Sequence, residues 1–238
     1  MPKKYVLTLL VGAGICGATA VALVGFPNQP LSKSVDDGFV TIPGGTYEVG
    51  CDEAGQNCEE VTVEEFEISK YELTFDEWDE CYEAGGCHHF PEDEGHGRGN
   101  RAVVDVSLAD AFEYSTWKRS LGDHVRVPTI NEFLAVKPNI TSDDICEQAH
   151  VGYTFPCEQA VGFSVKPGSY PTDYYGLYDV VGNVAEWTSS VSLEKGVGGV
   201  EQYEIVHSSF LSRFSNTNDY QVRPSARAEH ARFRGNTV

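Results

Sequence analysis

Six of the seven cysteines of this chain fall into three short couples, and this spacing limits the possible folds more than any other feature. The segments are CDEAGQNC, CYEAGGC and CEQAHVGYTFPC, which contain Cys51 and Cys58, Cys81 and Cys87, and Cys146 and Cys157. A short loop loses little conformational entropy when its ends are joined, so each couple is predicted to form its own disulfide. The alternatives are free buried thiols and a zinc site, and the lack of a CxxC spacing argues against zinc.

Residues 1–26 have the composition of an export signal. Lys3 and Lys4 precede an uncharged apolar run over residues 5–26, which includes an A-x-A segment. This pattern predicts either a cleaved signal peptide or an uncleaved membrane anchor formed by residues 5–26. Lipidation at Cys16 is disfavoured because the residues before it do not match a lipoprotein signal.

The rest of the chain is predicted to be a short linker, residues 27–37, followed by one domain, residues 38–238. The protein is expected in the periplasm or outside the cell, either free or anchored to the inner membrane. Such compartments permit disulfides to form and persist.

The charge of the chain restricts its partners. Its formal net charge is −19, which repels phosphate backbones and anionic lipid headgroups and so argues against nucleic-acid binding. Hydrophobic residues make up 41%, enough for a core, while 24 Gly and 11 Pro indicate many turns.

Short elements of both types are predicted along the domain. Residues 39–49 alternate apolar and polar side chains around a Pro-Gly-Gly turn, and residues 61–71 form a further extended stretch. Three helices are predicted to follow the N-cap residues Thr74, Ser107 and Thr129. The pattern predicts an α+β chain with few short helices and much irregular structure.

Five motifs, taken in order, resemble those of the formylglycine-generating (sulfatase-modifying factor) family. They are FVTIPGGTYEVG, EISKYELTFDEWDECYEAGGC, NRAVVDVSLADAFEYSTWKRSLGDHVRVPTINEF, VKPGSYPTDYYGLYDVVGNVAEWTSS and RPSARAEHARFRGNTV. The resemblance implies a loop-rich domain related to C-type lectins. It also implies a final strand after these motifs, which this sequence lacks, so a truncated, non-functional homologue is one hypothesis.

The resemblance implies a structural calcium site in the segment DVVGNVAE. Side-chain oxygens would come from Asp179 and Glu186, and backbone carbonyls from Gly182 and Val184. Carboxylates and carbonyls are the hard oxygen ligands that calcium prefers. The alternative is a turn whose acidic side chains face solvent. A second family calcium site would lie near Asp144 and Ile145.

The resemblance also locates the residues on which catalysis would depend. Catalytic members hold copper(I) between two cysteine thiolates, which are the soft ligands that this ion needs, and oxidise a substrate cysteine to formylglycine. Here Ser212 occupies the first cysteine position and the second falls within residues 217–219. No cysteine follows Cys157, and Ala185 replaces a family tryptophan. Copper binding and formylglycine formation are therefore not expected, and no catalytic residue is assigned.

Two functional hypotheses remain for an intact domain. The first is a binding module for a protein, peptide or glycan, and the alternative is an oxidoreductase that acts on a peptide or metabolite without copper-thiolate chemistry. Histidines are the residues that offer acid–base or metal chemistry to the alternative, although loop positions on the surface are the simpler interpretation. They are His88, His89, His96, His207 and His230.

Overall fold

The computed structural model describes residues 38–51, 57–137, 144–151, 157 and 161–191, and the backbone of residues 202–207 and 221–226. The predicted leader and linker lie outside the described residues. No helix in these ranges is long and apolar enough to span a bilayer.

In the part of the chain that the structure describes, seven short strands form three small antiparallel sheets. The first two sheets pair β1 with β4 and β2 with β3, and the third has the order β5-β6-β7. The strands are β1 (Phe39–Ile42), β2 (Gly45–Val49), β3 (Glu59–Val63), β4 (Phe66–Ser69), β5 (Glu186–Val191), β6 (Gln202–His207) and β7 (Gln221–Ala226). The predicted strand, turn and strand at residues 39–49 are present, but β1 and β2 do not pair with each other. The predicted stretch 61–71 is divided into β3 and β4.

The described residues also form four short helices: α1 (Phe75–Glu83), α2 (Leu108–Ser120), α3 (Ile130–Val136) and α4 (Ile145–Gln148). The predicted N-caps Thr74, Ser107 and Thr129 are confirmed, and each forms a reciprocal capping box with the acidic residue three positions on. Such a cap is worth about 1 kcal/mol to a helix. The fold is therefore the loop-rich α+β arrangement that the sequence predicts.

The three predicted disulfides are confirmed, each within its own couple: Cys51–Cys58, Cys81–Cys87 and Cys146–Cys157. Cys81 lies in the last turn of α1, so the second disulfide ties this helix to the turn that follows it. These covalent links brace a chain in which regular hydrogen-bond ladders are short.

The core of the domain includes an irregular segment, residues 177–185, which leads directly into β5. Its apolar side chains are buried, and Trp187 is fully buried with its indole N–H donating to the carbonyl of Val106. A buried loop must satisfy its backbone polar groups without a regular ladder. Side chains from other parts of the chain do this, and they form the site described next.

Candidate cation site

The segment Asp179–Glu186 contains three residues with positive φ angles, a backbone conformation that residues with a side chain rarely adopt. Asp179 and Asn183 have positive φ angles of 56° and 45°, and Gly182 has a φ of 103°. A Cβ atom at Gly182 would lie 2.8 Å from the backbone nitrogen of His150 and 2.9 Å from its carbonyl oxygen. Glycine is therefore required here both for its φ angle and for the close approach of a neighbouring backbone.

Glu72, which lies between β4 and α1, holds this segment from the side. The residue is only 6% exposed. One carboxylate oxygen accepts a hydrogen bond from the Asn183 side-chain amide at 2.5 Å, and the other accepts from the Val184 backbone N–H at 3.2 Å. Both oxygens of Glu72 thus bind two consecutive residues that are more than 100 positions away in the sequence.

The Asn183 side chain also forms hydrogen bonds with the backbone of a second segment, at Val165. Its carbonyl oxygen accepts from the Val165 N–H at 2.8 Å, and its amide donates to the Val165 carbonyl at 3.2 Å. The backbone N–H of Asn183 donates to the His150 carbonyl at 2.9 Å. This residue is fully buried and joins three separate segments, which fixes the turn in one conformation.

Asp179 carries a buried oxygen for which the described residues supply no hydrogen-bond partner. The residue is 5% exposed; its Oδ2 accepts from the Gly168 N–H at 2.6 Å, whereas Oδ1 has no partner. Burial raises the pKa of this carboxyl to about 6, and the hydrogen bond from Gly168 opposes that rise. The alternative prediction, that the acids of this segment merely face solvent, is wrong for Asp179.

Two further carboxyl groups lie in the same electrostatic environment. Burial raises the pKa of Glu72 well above its ordinary value, and the charges of Asp179 and Glu186 raise it further. Burial, and then the charge of Asp179, also raises the pKa of Glu186. The charge of Asp179 thus opposes the ionisation of both glutamates, and a cation beside these groups would favour their charged forms.

The residues present fit a calcium ion. The unsatisfied Asp179 oxygen is a hard ligand with no other partner among the described residues, and the backbone carbonyls of the same segment belong to the same class of ligand. Within the described residues, no three His, Cys, Asp or Glu side chains are grouped so as to hold a metal ion. The predicted site does not need such a group, because two of its four ligands, at Gly182 and Val184, are backbone carbonyls.

The predicted second calcium position lies at the start of α4. Asp144 is the residue before this helix, and Ile145 is 2% exposed. No calcium-binding arrangement follows from these positions, and the second site stays a prediction.

The histidines of the acidic loop are separated by their contacts. The imidazole of His88 lies 3.1 Å from the Glu113 carboxylate, while that of His89 lies 2.8 Å from the Asp105 carbonyl oxygen. The ring of His96 stacks on a phenylalanine ring with 4.2 Å between centroids. These three side chains therefore have different partners and do not form a metal site.

The remaining predicted positions cannot be placed in a site. Ser212, residues 217–219 and His230 lie outside the described residues, and His207, the last residue of β6, is described only by its backbone.

Sequence reasoning missed Glu72 and the structural role of Asn183. The available signal was an isolated acid in the segment KYELTF, directly before the apolar Leu73, and an asparagine beside a glycine in VVGNVAEW. Neither signal reveals the pairing, which joins two motifs distant in the sequence.

A groove with a volume of about 550 Å³ lies between the turn after α1 and one face of α2. Gly86 lies so close to Trp117 that a Cβ atom there would lie 2.3 Å from the indole ring. Phe112 is 38% exposed along the groove, and the His88–Glu113 pair supplies polar groups. Its volume is in the range of ligand pockets, but it is open to solvent, so it is a candidate surface for a partner and not an enclosed pocket.

Comparison with known proteins links the chain to one family. The family model of the sulfatase-modifying factor enzyme 1-like domain matches residues 27–236. This match covers the whole predicted linker and all but the last two residues of the predicted domain. No curated protein matches the chain.

Three solved structures share the fold at low sequence identity. The structure of PvdO from Pseudomonas aeruginosa has a TM-score of 0.61 at 19% identity and covers 78% of this chain and 88% of its own. The crystal structure of CarF has a TM-score of 0.56 at 17% identity, covering 78% and 92%. Treponema denticola variable protein 1 has a TM-score of 0.58 at 15% identity, covering 78% and 89%. The predicted relation to C-type lectins stays a prediction.

Proposed function

The chain belongs to the sulfatase-modifying factor enzyme 1-like family, and we propose that it is an exported binding domain of that family, with a structural calcium ion, rather than a formylglycine generator. The ligand class is a protein, peptide or glycan. Export is supported by the composition of residues 1–26 and by the three disulfides, which suit an oxidising compartment.

The state of the cysteines is the observation that carries this proposal. All six cysteines beyond the leader are joined in disulfides, and none follows Cys157. The chemistry implied by the family resemblance needs two thiolates to bind copper(I), and a disulfide sulfur is not a thiolate. A serine hydroxyl, such as that of Ser212, is a hard and weakly acidic group that does not replace a thiolate.

The proposed calcium site comprises the carboxylates of Asp179 and Glu186 and the carbonyls of Gly182 and Val184. When bound, the ion would neutralise buried negative charge and stabilise an irregular segment. Its role would be structural, as is usual where few regular elements hold a domain together.

The test of the binding function is a screen of the purified protein on peptide and glycan arrays. We expect saturable binding of one ligand class, and no conversion of a cysteine-containing sulfatase peptide to formylglycine by mass spectrometry after copper(I) loading. An active family member run in parallel confirms that the oxidation assay works.

Two variants show whether the groove takes part in that binding. Phe112→Ser changes a groove residue, and Phe39→Ser changes an equally exposed phenylalanine (38%) on β1. Loss of ligand only in the first variant locates binding at the groove. Formylglycine formation, or oxygen consumption with a substrate and no ligand on either array, would contradict the proposed function.

Calcium removal should destabilise the protein. A ligand that binds only the folded state at 100 times its dissociation constant adds about 2.7 kcal/mol of stability. We therefore expect the thermal midpoint to fall by several degrees when chelator is added and to recover with calcium chloride, as followed by differential scanning fluorimetry.

Asp179→Asn is the matched variant, because it keeps the shape of the side chain and removes its charge. Its midpoint should no longer respond to calcium. A midpoint of the unsubstituted protein that is equal in chelator and in calcium would contradict the calcium proposal.

A further inference from the structure

Glu72 connects the candidate cation site to a distant part of the chain. Its two oxygens accept hydrogen bonds from the Asn183 side chain and the Val184 backbone. Asn183 lies between the two predicted carbonyl ligands, Gly182 and Val184, and Val184 is itself one of them. Any change in the position of Glu72 would therefore move the part of the turn that carries both carbonyls.

The backbone on both sides of Glu72 is fixed by contacts with other segments. The segment before Glu72 runs beside the segment that leads into the site, because the Tyr178 N–H donates to the Lys70 carbonyl at 3.0 Å. The rings of Tyr71 and Tyr178 stack with 4.7 Å between centroids. On the other side, the Leu73 carbonyl accepts from the Val103 N–H at 2.9 Å. Glu72 thus extends from a fixed backbone and not from a free loop.

We propose that Glu72 is a positioning residue for the cation site, which orients the Gly182–Val184 turn through Asn183 so that its carbonyls are in place before the ion binds. This inference rests on the proposed calcium site. It assigns to Glu72 a role in ion affinity, although both of its oxygens are already engaged by protein groups and are not offered to the ion.

The geometry distinguishes positioning from simple charge attraction. A carboxylate that acted only through its charge would not depend on the length of its side chain. The Glu72 carboxylate instead accepts hydrogen bonds from donors on two consecutive residues, which requires a side chain of this length. Shortening the side chain by one methylene keeps the charge and prevents both contacts at once. Partners that orient metal ligands in this way typically contribute 10–100-fold to metal affinity.

The experiment is calcium titration by isothermal calorimetry of the full protein and its Glu72→Asp and Glu72→Gln variants. We expect both variants to bind calcium about 10–100-fold more weakly than the unsubstituted protein. Glu60→Gln, a charge removal at an exposed position of β3, is the control and should leave the affinity unchanged.

A second variant approaches the same contact from the other side. Asn183→Gly removes the amide that binds Glu72 and still permits the positive φ angle of 45°. It should weaken calcium binding by a similar factor, and combining it with Glu72→Asp should add little further loss. This measurement applies even where the Glu72 variants fail to fold, as judged by near-ultraviolet circular dichroism.

The outcomes separate the two proposals. Weakened binding in Glu72→Gln with normal binding in Glu72→Asp would overturn positioning in favour of charge. Normal binding in both Glu72 variants, or in Asn183→Gly, would overturn the role of Glu72 and leave the calcium site intact. A failure of the unsubstituted protein to bind calcium would overturn the site and the role of Glu72 together.

Discussion

Replacing Trp78 with alanine should lower the free energy of unfolding by about 4 kcal/mol, since truncation of a buried aromatic residue typically costs 3–5 kcal/mol. The residue is fully buried in α1, where its ring stacks on Tyr114 with 5.8 Å between centroids. Its indole N–H donates to the His89 carbonyl at 3.0 Å. The substitution would leave a cavity and remove that donor, and urea denaturation with the disulfides intact measures the loss.

Two controls divide this loss into its parts. Trp78→Phe keeps most of the ring packing and loses the indole N–H, so it should cost about 1 kcal/mol or somewhat more, because the His89 carbonyl that loses its donor is only partly buried. Tyr82→Ala, on the same helix but 40% exposed, should cost less than either. A cost below about 1 kcal/mol for Trp78→Ala would show that this helix does not pack in the core as described.

The helices and disulfides could be predicted because their determinants are local. The capping boxes at Thr74, Ser107 and Thr129 need only residues three positions apart. The disulfides join cysteines separated by 6, 7 and 11 positions. In both cases the interacting groups are brought together by a short length of chain, so their spacing in the sequence carries the information.

The strand pairing could not be predicted in the same way. The strands have four to six residues each, and β1 pairs with β4 while β2 pairs with the adjacent β3. Alternation of apolar and polar residues indicates which face of a strand is buried but does not choose among several short partners. That choice depends on packing of the whole domain.

In the candidate site, too, the local residues could be predicted from the sequence and the long-range contact could not. The resemblance supplied Asp179, Gly182, Val184 and Glu186 because they lie in one motif. Glu72 lies in another motif, and its bond to this segment spans 111 positions. A buried carboxylate that bonds a buried amide leaves no periodic signature in either motif, so its partner becomes visible only in three dimensions.

Gly182→Ala should be among the most destabilising single substitutions in the protein. A side chain at a φ of 103° costs about 1–3 kcal/mol in backbone strain alone. The added Cβ would also lie 2.8 Å from the His150 backbone nitrogen and 3.2 Å from the Ala149 Cβ. These neighbours are largely backbone and cannot rotate away, so overpacking should add about 1–3 kcal/mol. The total loss, about 2–6 kcal/mol by adding these two ranges, is measured by urea denaturation.

Gly176→Ala separates the strain from the close approach. Gly176 also has a positive φ, 83°, but a Cβ atom there would meet no atom within 4 Å. It should therefore show the strain without the overpacking and lose only about 1–3 kcal/mol. Equal losses in the two variants would mean that the contact with the His150 backbone contributes nothing. A larger loss at Gly182, with calcium affinity reduced there and retained at Gly176, would show that this contact holds the turn in the shape that the ion requires.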